Sequence, residues 1–358
     1  MRKLVMLALA IFLTGSTLSA QAELPNSDQK MVLVKTIGGP ISPKSVLASD
    51  NGLISAHNMM YSHSVTIYDA NTAELIATVP DTVVLSDYGF TQYSGSYKGA
   101  PVEGAYSPDG KYLYFTNYAM YGKGFNKEGH DICSPASGYD TSFLSRINLE
   151  SKVIDAVFPV GSVPKVVKVT PDNKYILVSN WCSYTVTVIS VDSGKKVQTI
   201  KIGRFPRGIA ITSDSKFAYV AEMGGTNIHR INLSDFTQTL IPVGSNPRAI
   251  VLSPDETKLY VTMNLSGRVQ AWDLVANKSV KTVKTGKAAR SLDISSDGTA
   301  LFVVNFESDT VSKIRTSDMK ILQTIKVCNE PIGVTYDSSS NRTWVACYGG
   351  ALKVFQNQ

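Results

Sequence analysis

The sequence predicts an all-β protein, a seven-bladed β-propeller, and three observations lead to that prediction. A short unit recurs with starting points at residues 161, 203, 244, 286 and 328, which lie 41 or 42 residues apart. Each repeat contains β-rich runs with turn residues between them, and no stretch shows helical periodicity. Four short strands in every ~40 residues are typical of propeller blades, because such strands bury both faces only when neighbouring units stack.

The number of blades follows from the residue that opens each first strand. The seven predicted openings are Pro43, Pro101, Pro164, Pro206, Pro247, Ala289 and Pro331. The last repeat ends after its third run, at residues 352–356, whereas residues 31–37 form a β-rich run with no neighbour in sequence. We therefore expect this N-terminal strand to complete the last blade, which would remove the exposed edges of an open array of sheets.

Two insertions interrupt the regular spacing in the first two blades. One covers about residues 81–100 and follows the fourth strand of blade 1, and the other covers about residues 119–142 and follows the second strand of blade 2. Long loops inside a regular array are more often binding or functional loops than accidents. The alternative is a disordered excursion on the surface.

The first 22 residues predict a cleavable secretory signal, which leaves residues 23–358 as the propeller. They have a basic start, an apolar run from Leu4 to Leu13, and small residues ending in Ala20-Gln21-Ala22. The apolar run is too short to span a bilayer, so we expect a periplasmic or secreted protein with no membrane insertion. Loss of Arg2 and Lys3 lowers the formal net charge from +6 to +4, which is too weak to indicate nucleic acid by itself.

Export also predicts that the four cysteines form disulfides. Cys328 lies just before the first strand of the last blade and Cys347 ends the antiparallel neighbour, so the two should be close. By elimination, Cys133 of the second insertion should pair with Cys182 of blade 3 and hold that insertion over the channel. None of the four lies in a C-x-x-C motif, so zinc-ribbon, thioredoxin-like and covalent haem sites have no support.

A ring of cations is predicted at one mouth of the central channel, because the first strands of all blades begin there. The positions after the opening residues carry cations in five blades, and we assigned Glu103 and Ile332 to the other two. The cations are Lys44, Lys165, Arg207, Arg248 and Arg290. Such a ring attracts anions, and arginine can bind them through two parallel hydrogen bonds. The alternative is that each cation pairs with a carbonyl or an acid of the next blade.

A second ring is predicted where the second strands end. It combines amides with aromatic rings, a pattern that suits sugars or bases, although Asn is also an ordinary residue for leaving a strand. Its predicted ligand-binding members are Asn117, Tyr118, Asn180, Trp181, Asn305, Phe306 and Tyr348. The four histidines show no metal-ligand spacing, so no metal site is predicted.

The second-strand runs carry a resemblance to a known family. Tyr260-Val261-Thr262-Met263 and Tyr114-Phe115-Thr116-Asn117 resemble the tetrapeptide that names the YVTN-repeat β-propellers, and the signal peptide adds a likeness to their periplasmic YncE-like members. The resemblance implies a secreted binding scaffold without a cofactor, for which DNA or a cell-surface polymer has been suggested as ligand in some members. It names no ligand for this chain.

These features favour an exported monomeric propeller that holds an anionic ligand or polymer, such as single-stranded DNA or a polysaccharide, on its cationic face. A hydrolase, lactonase or lyase acting in the channel is one alternative, with Glu103 and Glu222 as candidate acids. No nucleophile elbow or phosphate loop supports it, so no catalytic residue is assigned. A subunit of a larger periplasmic complex is the other alternative.

Overall fold

The computed structural model describes residues 24–358 and arranges them as seven four-stranded antiparallel sheets. This confirms the seven-bladed β-propeller. Every first strand begins at the residue predicted to open it. The predicted signal peptide lies outside the described residues.

Strands are numbered along the chain, and each blade runs from the channel outward. Blade 1 contains β2 (Pro43–Ala48), β3 (Leu53–Asn58), β4 (Ser64–Asp69) and β5 (Leu75–Pro80). Blade 2 contains β6 (Pro101–Tyr106), β7 (Tyr112–Asn117), β8 (Ser142–Asn148) and β9 (Val153–Val160). Blade 3 contains β10 (Pro164–Val169), β11 (Tyr175–Asn180), β12 (Thr185–Ser190) and β13 (Lys196–Lys201). Blade 4 contains β14 (Pro206–Ile211), β15 (Phe217–Glu222), β16 (Ile228–Asn232) and β17 (Gln238–Ile241).

The remaining blades follow the same order. Blade 5 contains β18 (Pro247–Leu252), β19 (Lys258–Met263), β20 (Arg268–Asp273) and β21 (Lys278–Lys284). Blade 6 contains β22 (Ala289–Ile294), β23 (Ala300–Asn305), β24 (Thr310–Arg315) and β25 (Lys320–Lys326). Blade 7 contains β26 (Pro331–Asp337), β27 (Arg342–Cys347), β28 (Ala351–Asn357) and the N-terminal β1 (Met31–Ile37).

Helical structure within residues 24–358 is limited to short 3₁₀ turns. They are Asn26–Asp28, Leu85–Tyr88, Pro135–Ser137 and Phe306–Ser308. No helix in this part of the chain has the length and apolar composition needed to cross a membrane.

The core lies between neighbouring blades rather than within any one of them. Val166 and Leu177 of blade 3, for example, share a buried cluster with Ile209 and Val220 of blade 4. Near the channel the first strands come so close that a Cβ on Gly208 would lie 2.6 Å from the backbone oxygen of Arg248. Glycine is required at this contact because two backbones meet there.

The ring closes through β1, as the sequence predicted. β1 pairs antiparallel with β28, with Met31 opposite Asn357 and Ile37 opposite Leu352. The Met31 backbone also exchanges hydrogen bonds with the side chain of Gln323 in blade 6, so β1 is joined to two blades.

A buried lysine secures the segment just before β1. Lys313 Nζ donates to the backbone oxygen of Gln29 at 3.0 Å and to Asn357 Oδ1 at 3.2 Å. The side chain is fully buried, and burial lowers the pKa of Lys313 to about 8. Lys313 thus connects blade 6 to both chain segments that close the ring.

Closure through β1 predicts that Met31→Ala destabilises the protein much more than Leu33→Ala. Met31 is buried between blades 6 and 7, whereas Leu33 is half exposed on the outer edge. Truncating a buried Met typically costs ~2–5 kcal/mol, whereas an exposed site changes stability by about 0.5 kcal/mol or less. Denaturant unfolding of both variants measures the difference. Equal losses would contradict the closing role of β1.

Candidate functional site

The channel mouth is built from one backbone motif that recurs in six blades. The carbonyl of the residue before the opening Pro or Ala accepts the N–H of the residue that follows the second strand. The bonded pairs, carbonyl first, are Ala100 with Tyr118, Val163 with Trp181, Phe205 with Met223, Asn246 with Asn264, Ala288 with Phe306, and Glu330 with Tyr348. The motif brings the residue after the second strand next to the start of the first strand of its own blade, where the cations of blades 3 to 6 lie.

In blades 3 to 7 the motif is accompanied by an unusual backbone conformation. The residue before each opening position has a positive φ although none is glycine. These residues are Val163, Phe205, Asn246, Ala288 and Glu330, with φ between 52° and 58°. Left-handed backbone is costly for such residues, and for β-branched Val163 above all, so the surrounding contacts must impose it.

Hydroxyl groups on the second strands hold the cations from the neighbouring blade. Thr116 Oγ1 donates to the backbone oxygen of Lys165 at 2.8 Å, and Ser179 Oγ donates to that of Arg207 at 3.0 Å. Thr262 Oγ1 donates to the backbone oxygen of Arg290 at 2.9 Å. The hydroxyl at the next-to-last position of the second strand is therefore a link between blades, a role that the sequence does not predict.

The structure brings all five predicted cations together at the mouth. Burial, followed by repulsion from Lys165, Arg207, Arg290 and Arg248, lowers the pKa of Lys44 well below its ordinary value. Burial and the neighbouring arginines Arg207 and Arg290 lower the pKa of Arg248 in the same way.

Burial and neighbouring charges also lower the pKa values of two further cations. Burial lowers the pKa of Lys165 to about 8, although Asp131 partly opposes the shift. Burial and Arg207 lower the pKa of Arg290 to about 10. The mouth therefore carries mutually repelling positive charges.

Only two of the five cations have a carboxylate partner within residues 24–358. Lys165 Nζ lies 2.9 Å from Asp131 Oδ1, and Arg207 Nη2 lies 2.9 Å from Glu103 Oε1. Lys44, Arg248 and Arg290 form no ion pair in this part of the chain. Arg248 is 6% exposed as a whole residue, and its side chain forms no hydrogen bond with any residue from 24 to 358.

Glu103 does not occupy the position that we assigned to it. It lies two residues after Pro101, whereas each cation lies one residue after its opening position, and the strand register pairs Pro101 with Asn117 and Gly104 with Phe115. Buried Val102 is the true equivalent of the cations. Glu103 contributes instead by reaching Arg207, which lies two blades away.

The predicted aromatic residues lie against the cations. Lys165 Nζ lies 4.3 Å from the ring centre of Tyr118 and 5.3 Å from that of Trp181. The Arg290 guanidinium lies 3.4 Å from the Phe306 ring, and Lys44 Nζ lies 5.0 Å from the Tyr348 ring. The rings stabilise the cations through cation–π contacts, which are worth more when desolvated.

Trp181 offers little surface for stacking a base or sugar. Its ring is 9% exposed and stacks on Phe205 with the centres 4.5 Å apart. Its indole N–H donates to the backbone oxygen of Asp131 at 2.9 Å. One face and the polar edge of this ring are thus occupied by the protein itself.

The three predicted amides are held within their own blades. Asn117, Asn180 and Asn305 are fully buried, and each side-chain amide donates to groups of its third strand. In blade 3 the Asn180 oxygen also accepts the N–H of Gly161. These contacts account for the amides as elements of the blade, and they do not bring them to the cations.

The insertion that follows β7 folds over the mouth and is held there by a disulfide. Cys133 and Cys182 are bonded, with Cα atoms 5.5 Å apart, and Cys328 is bonded to Cys347. Both predicted disulfides are confirmed. Tyr184 Oη donates to the Cys133 backbone oxygen at 2.7 Å, which adds a second anchor to blade 3.

Asp131 is the site residue that sequence reasoning missed. It lies outside the repeat, so no register placed it at the mouth, and its proximity to Cys133 was the only signal. Burial raises its pKa, but Lys165, with Lys44 and Arg207, outweighs burial and holds the pKa of Asp131 at about 2. Asp131 is therefore ionised beside the cations at any ordinary pH.

The histidines do not gather into a metal site. His57 is buried and its Nδ1 bonds Ser45 Oγ at 2.8 Å, while His229 Nδ1 bonds Gln238 at 2.8 Å. Within residues 24–358 no cluster of three or more His, Cys, Asp or Glu side chains could hold a metal ion.

Comparisons with known proteins support the fold. The chain has a TM-score of 0.68 to a hydrazine synthase structure from Kuenenia stuttgartiensis, at 16% identity, covering 89% of this chain and 97% of that one. It is 28% identical over 153 residues to Antigen Lp49 of Leptospira interrogans, and 28% identical over 170 residues to hydrazine synthase subunit beta of Kuenenia stuttgartiensis. These matches cover 40% and 41% of this chain but only 33% of the antigen and 40% of the subunit.

No family model matches the chain. The comparisons thus define a propeller, the fold that the YVTN-repeat resemblance implied, whereas membership of that family stays a prediction.

The Cys133–Cys182 disulfide is expected to restrict the motion of the insertion more than it stabilises the ring of blades. Replacing Cys133 and Cys182 together by serine should speed protease cleavage within residues 119–142, because the loop loses its covalent anchor. The matched pair, Cys328 and Cys347 to serine, leaves that anchor in place and serves as the control. Limited proteolysis with mass mapping measures the effect, and equal cleavage in both variants would contradict it.

Proposed function

We propose that this propeller binds a small anion in the cationic mouth of its channel, held by Lys44, Arg248 and Arg290 together with Lys165 and Arg207. The observation that carries the proposal is Arg248, a nearly buried guanidinium without a hydrogen bond or ion pair inside residues 24–358. A charge in such a position is costly unless something pairs with it. An anion in the mouth would supply that partner and would relieve the repulsion among the five cations.

The burial of the cations favours a small ligand over a polymer. Lys165, Arg207 and Arg248 are each at most 6% exposed, so a rigid duplex lying on the face could not reach them. Trp181, the ring predicted to stack a base, is covered by Phe205. Single-stranded DNA and anionic polysaccharide therefore rank behind a small anion.

Both carboxylates considered for catalysis already have partners within the protein. Glu103 pairs with Arg207, and Glu222 accepts the backbone N–H of Arg204 at 3.1 Å and lies 3.5 Å from His229 Nε2. Both are explained as parts of the scaffold, so the proposal is binding rather than hydrolysis.

A second candidate function is that of a subunit in a larger assembly. It rests on the structural likeness to hydrazine synthase and on the partial sequence match to its subunit beta. Light scattering during size exclusion of the protein from its native host tests it. A mass near that of a single chain, 38.8 kDa less the predicted signal peptide, would contradict this candidate and support the expected monomer.

Arg248→Gln is expected to raise the dissociation constant for a small anion about tenfold or more, because it removes a charged hydrogen-bond donor from the mouth. The matched control is Arg268→Gln, which removes the same charge from an exposed site in the same blade. Isothermal titration with succinate and with inorganic phosphate at low salt measures binding. Anisotropy with labelled single-stranded DNA, duplex DNA and an anionic polysaccharide tests the polymers.

The result also separates binding from a purely structural role. If Arg248 were a strut between blades, its replacement would lower the melting temperature and leave binding unchanged. If the wild-type protein bound neither small anion, the proposal would fail.

Anion affinity is expected to fall as pH rises above about 8. The pKa of Lys165 is about 8 and that of Lys44 is well below its ordinary value, chiefly because of burial. A bound anion favours the charged amines, so its binding energy is fully present below these pKa values and is lost as pH rises through them. Titration with succinate at constant ionic strength between about pH 7 and 10 measures the trend. An affinity independent of pH would contradict it.

A further inference from the structure

The insertion over the mouth delivers a carboxylate to the cations that the proposed ligand would use. Asp131 Oδ1 accepts from Lys165 Nζ at 2.9 Å and from Tyr118 Oη at 3.2 Å. The backbone here is fixed, since the Asp131 backbone oxygen accepts the Trp181 indole N–H and Cys133, two residues further on, is disulfide-bonded to Cys182. The loop therefore presents one carboxylate in a defined position.

The two partners of this ion pair differ in exposure. The Asp131 side chain is 66% exposed, whereas that of Lys165 is 4% exposed. The carboxylate thus lies on the solvent side of the cations, where a ligand arriving from outside would meet them. Because solvent reaches the carboxylate, an incoming anion can take its place at the buried ammonium.

We propose that the ligand carries a carboxylate, and that Asp131 competes with it as an internal stand-in that must move aside when the ligand binds. This inference rests on the proposed anion site and adds the chemical class of the ligand and a way of regulating its access. The mouth suits that class, because an ammonium and a phenol already hold one carboxylate there. The planar forks of Arg248 and Arg290 are suited to holding a second.

Competition by Asp131 would let the insertion select among ligands, which a loop that only covers the mouth would not do. An anion that displaces Asp131 must compensate for the lost ion pair between Asp131 and Lys165. Anions that bind weakly or lack a matching shape are therefore rejected. The disulfide to Cys182 keeps the carboxylate near the mouth after displacement, which keeps its effective concentration high. Access is thus set by a tethered competitor rather than by a rigid cap.

The test compares succinate binding by the wild-type protein and by Asp131→Asn. Removing the competing charge while keeping its shape should tighten binding about threefold to fivefold, a modest factor because solvent screens the mostly exposed carboxylate. Glu128→Gln is the matched control, because it removes the same charge from the same loop at a residue that bonds Tyr121. Asp131→Ala, which removes the carboxylate altogether, provides a second variant should Asp131→Asn misfold, and it should also tighten binding.

A second measurement follows the loop itself. In the wild-type protein, succinate should increase amide hydrogen exchange within residues 119–142, because displacement of Asp131 releases that loop. Slower exchange, or weaker binding by Asp131→Asn, would mean that Asp131 is part of the ligand's own site and would overturn the inference. Equal affinities of the wild-type protein and Asp131→Asn would overturn it while leaving the anion site standing, whereas absence of binding by every form would remove the anion site as well.

Discussion

Each blade of this protein depends on its neighbours, because a four-stranded sheet has two faces to bury and its own strands cover neither. The apolar clusters accordingly run between adjacent blades, such as Val166 and Leu177 of blade 3 against Ile209 of blade 4. Such packing leaves no stable end until the last interface is made. The circular arrangement thus follows from where the apolar residues lie, and it brings seven strand openings to one mouth.

Circular packing also explains why costly features can persist at that mouth. Left-handed backbone at Val163, a nearly buried Arg248 without a bonded partner among residues 24–358, and repulsion among five cations each oppose folding. Hydrogen bonds from second-strand hydroxyls to the backbones of Arg207 and Arg290 fix two of these cations regardless of that cost. A mouth that is held open and charged by the rest of the ring is preorganised for an anion, since little reordering is required on binding.

The sequence predicts the fold well because every blade repeats the same signals. The opening residues, the strand count and the pairing of β1 with β28 all follow from a period near 42 residues. The Cys328–Cys347 disulfide follows from its place in that period, and the Cys133–Cys182 disulfide follows by elimination. The five cations could be predicted for the same reason.

Features outside the repeat could not be predicted in this way. Asp131 belongs to an insertion with no counterpart in other blades, and the bond from Arg207 to Glu103 joins residues 104 positions apart. The amides were predicted in position but not in exposure. The sequence places them at strand ends, but it does not show that they are fully buried. Periodicity states where a residue lies in its blade, whereas the direction of its side chain depends on neighbours that are distant in sequence.

The pairing of β1 with β28 has a consequence for how the chain reaches its folded state. β1 is made early and its partner late, so one strand waits with unpaired backbone groups while almost every other strand is synthesised. Contacts between such distant segments form slowly, and the waiting strand is open to pairing with other chains. The single bulge between Leu33 and Lys35, with Lys35 bonded to Glu74 of blade 1, gives that edge an irregular and charged outline. Once the ring has closed, an outline of this kind disfavours pairing of that edge with a strand of another chain.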